Sequence, residues 1–438
     1  ASMFWLVLVI ASDVCIHRPR PSAVRAKLKF QREELECAPR EPGANQAAAA
    51  DARRPAAGRL LWVLGACMLA LGTHFARGAG QAPAAALPSD PTSDMLEAIR
   101  NKHQFPVLAA AVIVDGKVVA TNVVGFRKRG GSERAQVTDK FHIGSVTKSM
   151  TATVAAMLVE QGRISWQTRI GESFADLGTK LHADYRDVTL EQLLAHRGGA
   201  PAEPPDDLWK AAWRATGSGQ SQRLDFVRGL LARAPETKPG TKAVYSNQGY
   251  AIAGVMLEKA VGKPWEELMR TMLFDPLQMK SAGFGAPASP GEVDQPWGHT
   301  WKAGAGFRPV PPGPGADNPA AIGPAGTVHC SLPDLAYYVV FHLAGARETG
   351  EMLKPGSFKK LHESAGDGYA LGWVVLERKW AGGKALMHTG SNTMFYVVVW
   401  MAPRRNAAVI VATNVGSDPA FAGCDEAASR LIQRFLPQ

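Results

Sequence analysis

Phe141-His142-Ile143-Gly144-Ser145-Val146-Thr147-Lys148 is the stretch on which the reading of this chain turns. It opens a run, 145–161, whose apolar residues Met150, Val154, Met157 and Leu158 keep helical spacing, with Gly162 as the stop. A serine at a helix start with a lysine three residues on brings a hydroxyl and an amine to one helix face. The helix dipole there favours developing negative charge, and free backbone N–H groups point outward as donors to an oxyanion. A desolvated lysine sheds its proton readily and can then activate the hydroxyl. Alone the pattern is weak. Ser357-Phe358-Lys359-Lys360 repeats it, and a serine in this position also serves as a plain helix cap beside a solvated lysine.

Two further clusters lie downstream. Tyr245-Ser246-Asn247 follows Pro239-Gly240-Thr241-Lys242 and is the only Tyr-x-Asn in the chain. A tyrosine near a lysine can relay a proton, and an asparagine can hydrogen-bond an amide. His388-Thr389-Gly390-Ser391 falls at a strand end: His388 supplies a polar or cationic group, Thr389 and Ser391 are carboxylate donors, and Gly390 permits close backbone approach. His196-Arg197-Gly198 is a second His-x-Gly, so this cluster too is weak by itself.

Taken in order (SxxK, YxN, HTG), with each in the local context its role needs, the three clusters make the chain resemble the serine β-lactamase and penicillin-binding protein superfamily. Within it, the sequence is similar to the branch of class C β-lactamases, DD-peptidases and family VIII esterases. The resemblance covers residues 95–436. It is supported by Leu193-Leu194-Ala195-His196 with Gly198-Gly199, by Asp275-Pro276-Leu277-Gln278-Met279, by Gly323-Pro324-Ala325-Gly326 ahead of Asp334-Leu335-Ala336, and by Gly372-Trp373.

The resemblance implies acyl transfer through a covalent serine ester. Ser145 is then the nucleophile, with Lys148 and Tyr245 sharing the base and proton-shuttle work, unranked. Asn247 holds the substrate's amide side chain. His388 stands where many relatives carry lysine, the histidine form being more similar to the DD-peptidase branch, and Thr389 helps bind a carboxylate. Gly390 lets the backbone approach, and the N–H groups of Ser145 and Ser391 form the oxyanion hole. The chain departs from relatives after Gly390, where Ser391-Asn392-Thr393-Met394-Phe395 replaces a frequent Gly-Gly-Phe ending and Met394 narrows the site. The substrate class stays open between β-lactams, D-Ala-type amides or peptides, and small esters. A non-catalytic penicillin-recognising sensor or scaffold of the same fold is the competing class.

The rest of the chain sets the expected architecture. Residues 107–114 and 117–124 read as strands joined through Asp115-Gly116. Thr189-Leu190-Glu191-Gln192 is a capping box opening a short helix through Leu194. Residues 200–280 read as helices, 283–326 as a long Pro/Gly-rich loop capping the cleft, and 332–343 as a helix. Strands follow near 369–376, 385–388, 395–401 and 407–413, and a helix at 420–435 closes the chain. This predicts an α/β fold of α+β type. The expected arrangement is an antiparallel sheet flanked by helices, its lobe at about 95–144 and 325–438, with a mostly helical lobe at 145–324 inserted. The catalytic domain spans 87–438.

Residues 1–86 read as a leader. Arg53, Arg54 and Arg59 precede an apolar run at 60–72 and a small-residue exit, which matches a secretory signal peptide at about 53–80. That run is shorter than the roughly 20 apolar residues of a membrane span. Leu64-Gly65-Ala66-Cys67 faintly resembles a lipoprotein cleavage site, but apolar residues continue beyond it. The expected location is periplasmic or secreted. The chain of 438 residues has 49 Lys+Arg against 39 Asp+Glu, a net charge of +10. Eleven basic and six acidic residues of that balance lie in residues 1–80, so half the excess belongs to the leader, and no nucleic-acid signature appears elsewhere. No GxSxG elbow, HExxH, Walker A loop or Rossmann fingerprint is present, so neither metal nor cofactor is expected and the partner is a small-molecule or peptide substrate. Once a leader is cut, Cys330 and Cys424 remain, with a disulfide between them allowed but not implied.

Overall fold

The computed structural model describes residues 90–364 and 366–437. The leader expected at 1–86 and the signal peptide expected at about 53–80, with Cys15, Cys37 and Cys67, therefore lie outside the described residues. The first element, α1 (Pro91–His103), is a helix that the sequence reading missed. Asp90 caps it by accepting from Thr92 N, and Pro91 sits in the first turn, where a missing N–H costs nothing. The hairpin β1 (Val107–Val114) and β2 (Lys117–Gly125) follows as expected. The short strand β3 (Lys140–His142) leads into a 3₁₀ turn, Gly144–Val146, and helix α2 (Thr147–Glu160). Ser145 thus lies in the 3₁₀ turn and not in the helix proper.

The middle of the chain is mainly helical: α3 (Leu190–Leu194) with its reciprocal Thr189–Gln192 cap, α4 (Asp206–Arg214), α5 (Gly219–Leu231) and α6 (Asn247–Val261). Residues 283–326 correct the expectation of a structureless loop. They hold β4 (Gly283–Phe284) and a hairpin of β5 (His299–Lys302) and β6 (Gly306–Pro309). Then come β7 (Val328–Ser331), α7 (Leu332–Ala346) and α8 (Pro355–His362). The strand expected at 369–376 is β8 (Val374–Arg378), with Tyr369 only bridging to Val374. The chain ends in β9 (Gly383–Ser391), β10 (Tyr396–Ala402), β11 (Ala407–Thr413) and α9 (Asp418–Phe435).

Six strands form one antiparallel sheet in the order β2-β1-β11-β10-β9-β8, so the first hairpin joins the last strands through β1 and β11. A three-stranded sheet, β3-β7-β4, lies beside it. Helices α1 and α9 pack on one face of the large sheet and α7 on the other. Both faces are covered, which is why β1 reads Val-Leu-Ala-Ala-Ala-Val-Ile-Val without alternation. Among the described residues no helix is long and apolar enough to cross a membrane. Cys330 and Cys424 are buried free thiols.

The second SxxK has a structural explanation. On α8 the Ser357 hydroxyl donates to Glu160 at 2.5 Å, Lys360 pairs with Glu191, and Phe358 is buried.

Candidate active site

The three clusters, 245 residues apart at their extremes in the chain, meet at the start of α2. Two glycines make the meeting possible. Gly144 has φ +49, and a Cβ there would lie 2.2 Å from Ser391 N. A Cβ on Gly390 would lie 1.9 Å from Ile143 O and 2.7 Å from Ser145 N. Only bare backbone lets β9 lie against the turn at this distance, and the approach makes the amides of Ser145 and Ser391 neighbours.

Lys148 is fully buried behind Ser145, which is 6% exposed. Its Nζ lies 2.9 Å from Ser145 Oγ, 2.7 Å from Asn247 Oδ1 and 2.8 Å from Ala325 O. Burial drives the Lys148 pKa well below the ordinary lysine value. A neutral amine has two protons and one lone pair. The two carbonyl oxygens can only accept, so once Lys148 gives up a proton they hold its remaining two, and the lone pair faces the Ser145 hydroxyl.

Tyr245 enters from the turn before α6. Ser246 caps that helix: its Oγ accepts from Gly249 N at 3.0 Å and donates to Pro201 O at 2.6 Å. The Tyr245 ring lies 4.8 Å below Lys148 Nζ. Burial raises the Tyr245 pKa, and the Ser145 hydroxyl it faces lowers it, although no hydrogen bond to the Tyr245 hydroxyl closes at rest.

His388 takes one of the two forms the sequence left open. The sequence allowed a polar or cationic group, and the structure makes it neutral. Its Nδ1 lies 2.6 Å from Thr389 O, a carbonyl that can only accept, so that nitrogen carries the proton and Nε2 accepts from the Tyr369 hydroxyl at 3.2 Å. Burial, and after it the nearby Lys148, pushes the His388 pKa down to about 3. Thr389 is buried and Ser391 half-buried, its Oγ accepting from Thr393 N at 2.9 Å. Met394 is buried at the turn after β9.

Several residues outside the expected site residues support this cluster. Asp317, from the Pro/Gly-rich stretch, lies 2.7 Å from His142 Nε2, too bent for a linear hydrogen bond, and accepts from Asn392 Nδ2 at 3.2 Å. His142 Nδ1 in turn accepts from Gly144 N at 3.1 Å. One carboxylate therefore ties the turn before Ser145 to the turn after Ser391. His196, from the second His-x-Gly, accepts from Ser246 N at 3.1 Å, and its ring centroid lies 4.3 Å from that of Tyr245 and 4.6 Å from that of Tyr369. Burial holds its pKa well below the histidine norm, with Lys148 and His388 adding to the effect. Among the described residues no group of three or more His, Cys, Asp or Glu side chains could hold a metal ion.

Comparison with known proteins places the chain and its fold. Over 342 residues the chain is 25% identical to "Penicillin-binding protein 4" of Amycolatopsis lactamdurans, covering 75% of this chain and 86% of that one. It is 21% identical to "Protein flp" of Staphylococcus aureus (strain MW2) over 72% of this chain, but spans only 61% of that longer protein. Among solved structures it superposes on the octameric penicillin-binding protein homologue from Pyrococcus abyssi with a TM-score of 0.65 at 22% identity, covering 79% of this chain and 78% of that one. It superposes on a D-stereospecific amidohydrolase from Streptomyces sp. with a TM-score of 0.60 at 20% identity, over 77% of this chain and 97% of that one. The sequence model of the Beta-lactamase family matches residues 92–433, and the chain belongs to that family of serine hydrolases.

Proposed function

We propose that the protein hydrolyses acyl substrates through an ester on Ser145, with D-residue amides and peptides, β-lactams and small esters as the substrate range. The observation that carries this reading is the fully buried Lys148 amine 2.9 Å from the Ser145 hydroxyl. Ser145 Oγ attacks the carbonyl carbon while its proton passes to Lys148 Nζ. The carbonyl electrons move to oxygen, which the Ser145 and Ser391 amides stabilise. Collapse expels the amine or alcohol, protonated by the Tyr245 hydroxyl, and Lys148 returns the proton to Tyr245. Water then attacks the ester by the same steps in reverse. The closed Lys148–Ser145 contact, beside a Tyr245 hydroxyl without a partner, favours lysine as base and tyrosine as acid. Asn247 Nδ2 binds the substrate carbonyl next to the scissile bond.

A neutral His388 offers no fixed cation to a substrate carboxylate, so Thr389 and Ser391 carry that contact through neutral hydrogen bonds. The similarity to a penicillin-binding protein supports β-lactams in this range, and that to a D-stereospecific amidohydrolase supports amides of D-configuration. We also infer export, from the basic and apolar pattern at 53–80.

The test is to incubate the chain and its Ser145→Ala variant with a fluorescent penicillin, nitrocefin, D-alanine amides and short p-nitrophenyl esters. Turnover or labelling of at least one substrate that is lost in the variant is expected. Labelling and turnover that do not depend on Ser145, across the whole panel, would overturn the reading.

A further inference from the structure

A surface cavity of about 380 Å³ opens between α7, α8, the β8–β9 pair and the turn at 403–405, lined by groups outside the site described above. Its wall carries Lys384, Arg404, the carboxylates Glu348 and Glu377, the ion pair of Lys359 with Glu363 at 3.9 Å, and the ring of His362, which is 5% exposed. Glu377 and Lys384 face each other in register across β8 and β9, and among the described residues neither side chain closes an ion pair.

A chain of buried hydrogen bonds fixes what His362 presents to this cavity. Ser149 Oγ donates to Val146 O at 2.8 Å and Thr153 Oγ1 donates to Ser149 O at 2.9 Å, since carbonyls only accept. The Tyr338 hydroxyl donates to Ser149 Oγ at 2.9 Å. With the Thr153 proton assigned to Ser149 O, His342 Nε2 becomes the donor to Thr153 Oγ1 at 3.2 Å, and His342 Nδ1 is left as an acceptor. His362 Nε2 lies 2.8 Å from that nitrogen and must donate to it. In this assignment His362 Nδ1 keeps its lone pair, without a hydrogen-bond partner among the described residues, on a ring that lines the cavity. Burial and the nearby Lys384 hold His362 down to about 3, so it keeps that lone pair at neutral pH.

A ligand for this wall has to donate to His362 and satisfy both signs of charge within one small space. A simple anion meets Glu377 and Glu363, and a simple cation meets Lys384 and Arg404. We propose that the cavity is a second binding site, for a small zwitterion of the α-amino-acid type. Its ammonium donates to His362 Nδ1 beside Glu377 and Glu363, and its carboxylate meets Lys384 and Arg404. The volume lies within the range of small-ligand pockets, roughly 300–1,000 Å³. Charge-assisted hydrogen bonds at both ends supply the affinity.

The experiment is calorimetric titration of the full chain with D-alanine and L-alanine, with acetate and methylamine as half-ligands. It is run beside Lys384→Met and Glu377→Gln, whose folding is checked by thermal melting, and the His362 ring nitrogens are followed by NMR. Saturable alanine binding is expected, with a shifted His362 Nδ1 resonance and affinity weakened about tenfold or more in either folded variant. Absence of saturable alanine binding would overturn the proposal. So would binding that leaves the His362 resonance unmoved, acetate or methylamine binding as tightly as alanine, or equal affinity in wild type and the folded variants. None of these readouts requires Ser145 chemistry, so failure here is distinct from failure of the hydrolase reading.

Discussion

At the scale of single residues, one cause sets the chemistry: burial disfavours the charged forms of the two nitrogen bases of the site. Lys148 has its pKa driven well down by desolvation, and His388 is brought to about 3. Replacing Lys148 by Met is expected to lower kcat/KM by about 10²–10⁴, the usual worth of a positioned base, measured on whichever substrate Ser145 turns over. The same substitution has a signature in stability. Between the depressed folded pKa and the ordinary value near 10.4, the unfolded chain binds one more proton at this position, so stability rises with pH across that window. Lys148→Met is expected to flatten that rise, read as Tm against pH for the two proteins. The sequence disclosed Ser145, Lys148, Tyr245, Asn247 and the β9 cluster because each sits in a motif of fixed local spacing. It could not disclose the neutrality of His388, since protonation depends on what buries the ring. Nor could it single out Asp317, Tyr369 or the contact of His196 with Ser246, because those arise between segments distant in the chain.

At the scale of elements, the site depends on how closely β9 lies against the turn before α2. Gly390→Ala would set a methyl group 1.9 Å from Ile143 O and 2.7 Å from Ser145 N, and backbone has to move. Loss of oxyanion alignment is expected to cost about 10²–10³ in kcat, with a lowered Tm, and both are directly measurable. Asp317 holds the same two pieces from outside. Asp317→Ala leaves Asn392 Nδ2 and His142 without their anchor, and a slackened alignment acts on the transition state more than on binding. We expect kcat to fall about 10- to 100-fold with KM nearly unchanged, and a rise in KM alone would contradict this clamp. The same stretch shows why Pro and Gly content misled the reading of 283–326. Turn residues mark where the backbone bends, and here they bound the two-residue β4 and the four-residue strands β5 and β6. Strands this short carry little periodic signal of their own. Helix α1 was missed for a related reason: only Thr92, Leu96 and Ile99 are buried along its thirteen residues.

At the scale of the whole molecule, buried histidines set the acid limit. His299 and His329 are brought to about 4, and His362 and His388 to about 3, each chiefly by burial. A histidine whose folded pKa lies below its usual 6.5 contributes stability that is intact above that value and lost as pH falls toward the folded pKa. Each such group removes up to about 1.4 kcal/mol per pH unit in that window. The protein is expected to unfold cooperatively above about pH 3.5. Circular dichroism across pH 7 to about 2 reads this, and a chain still folded at about pH 2.5 would contradict it. Connectivity has its own consequence. In the large sheet, β1 is wedged between β2 and β11, with Leu108 opposite Thr413, so the central pairing joins residues more than three hundred positions apart. Such a sheet closes only after nearly all of the chain has left the ribosome. Until then the apolar strand Val107–Val114 has just its hairpin mate. Closing so large a loop is slow, and the waiting strand invites pairing with other chains. Refolding yield should therefore fall steeply with protein concentration, and the nucleophile can be exposed as a functioning group only in the last act of folding.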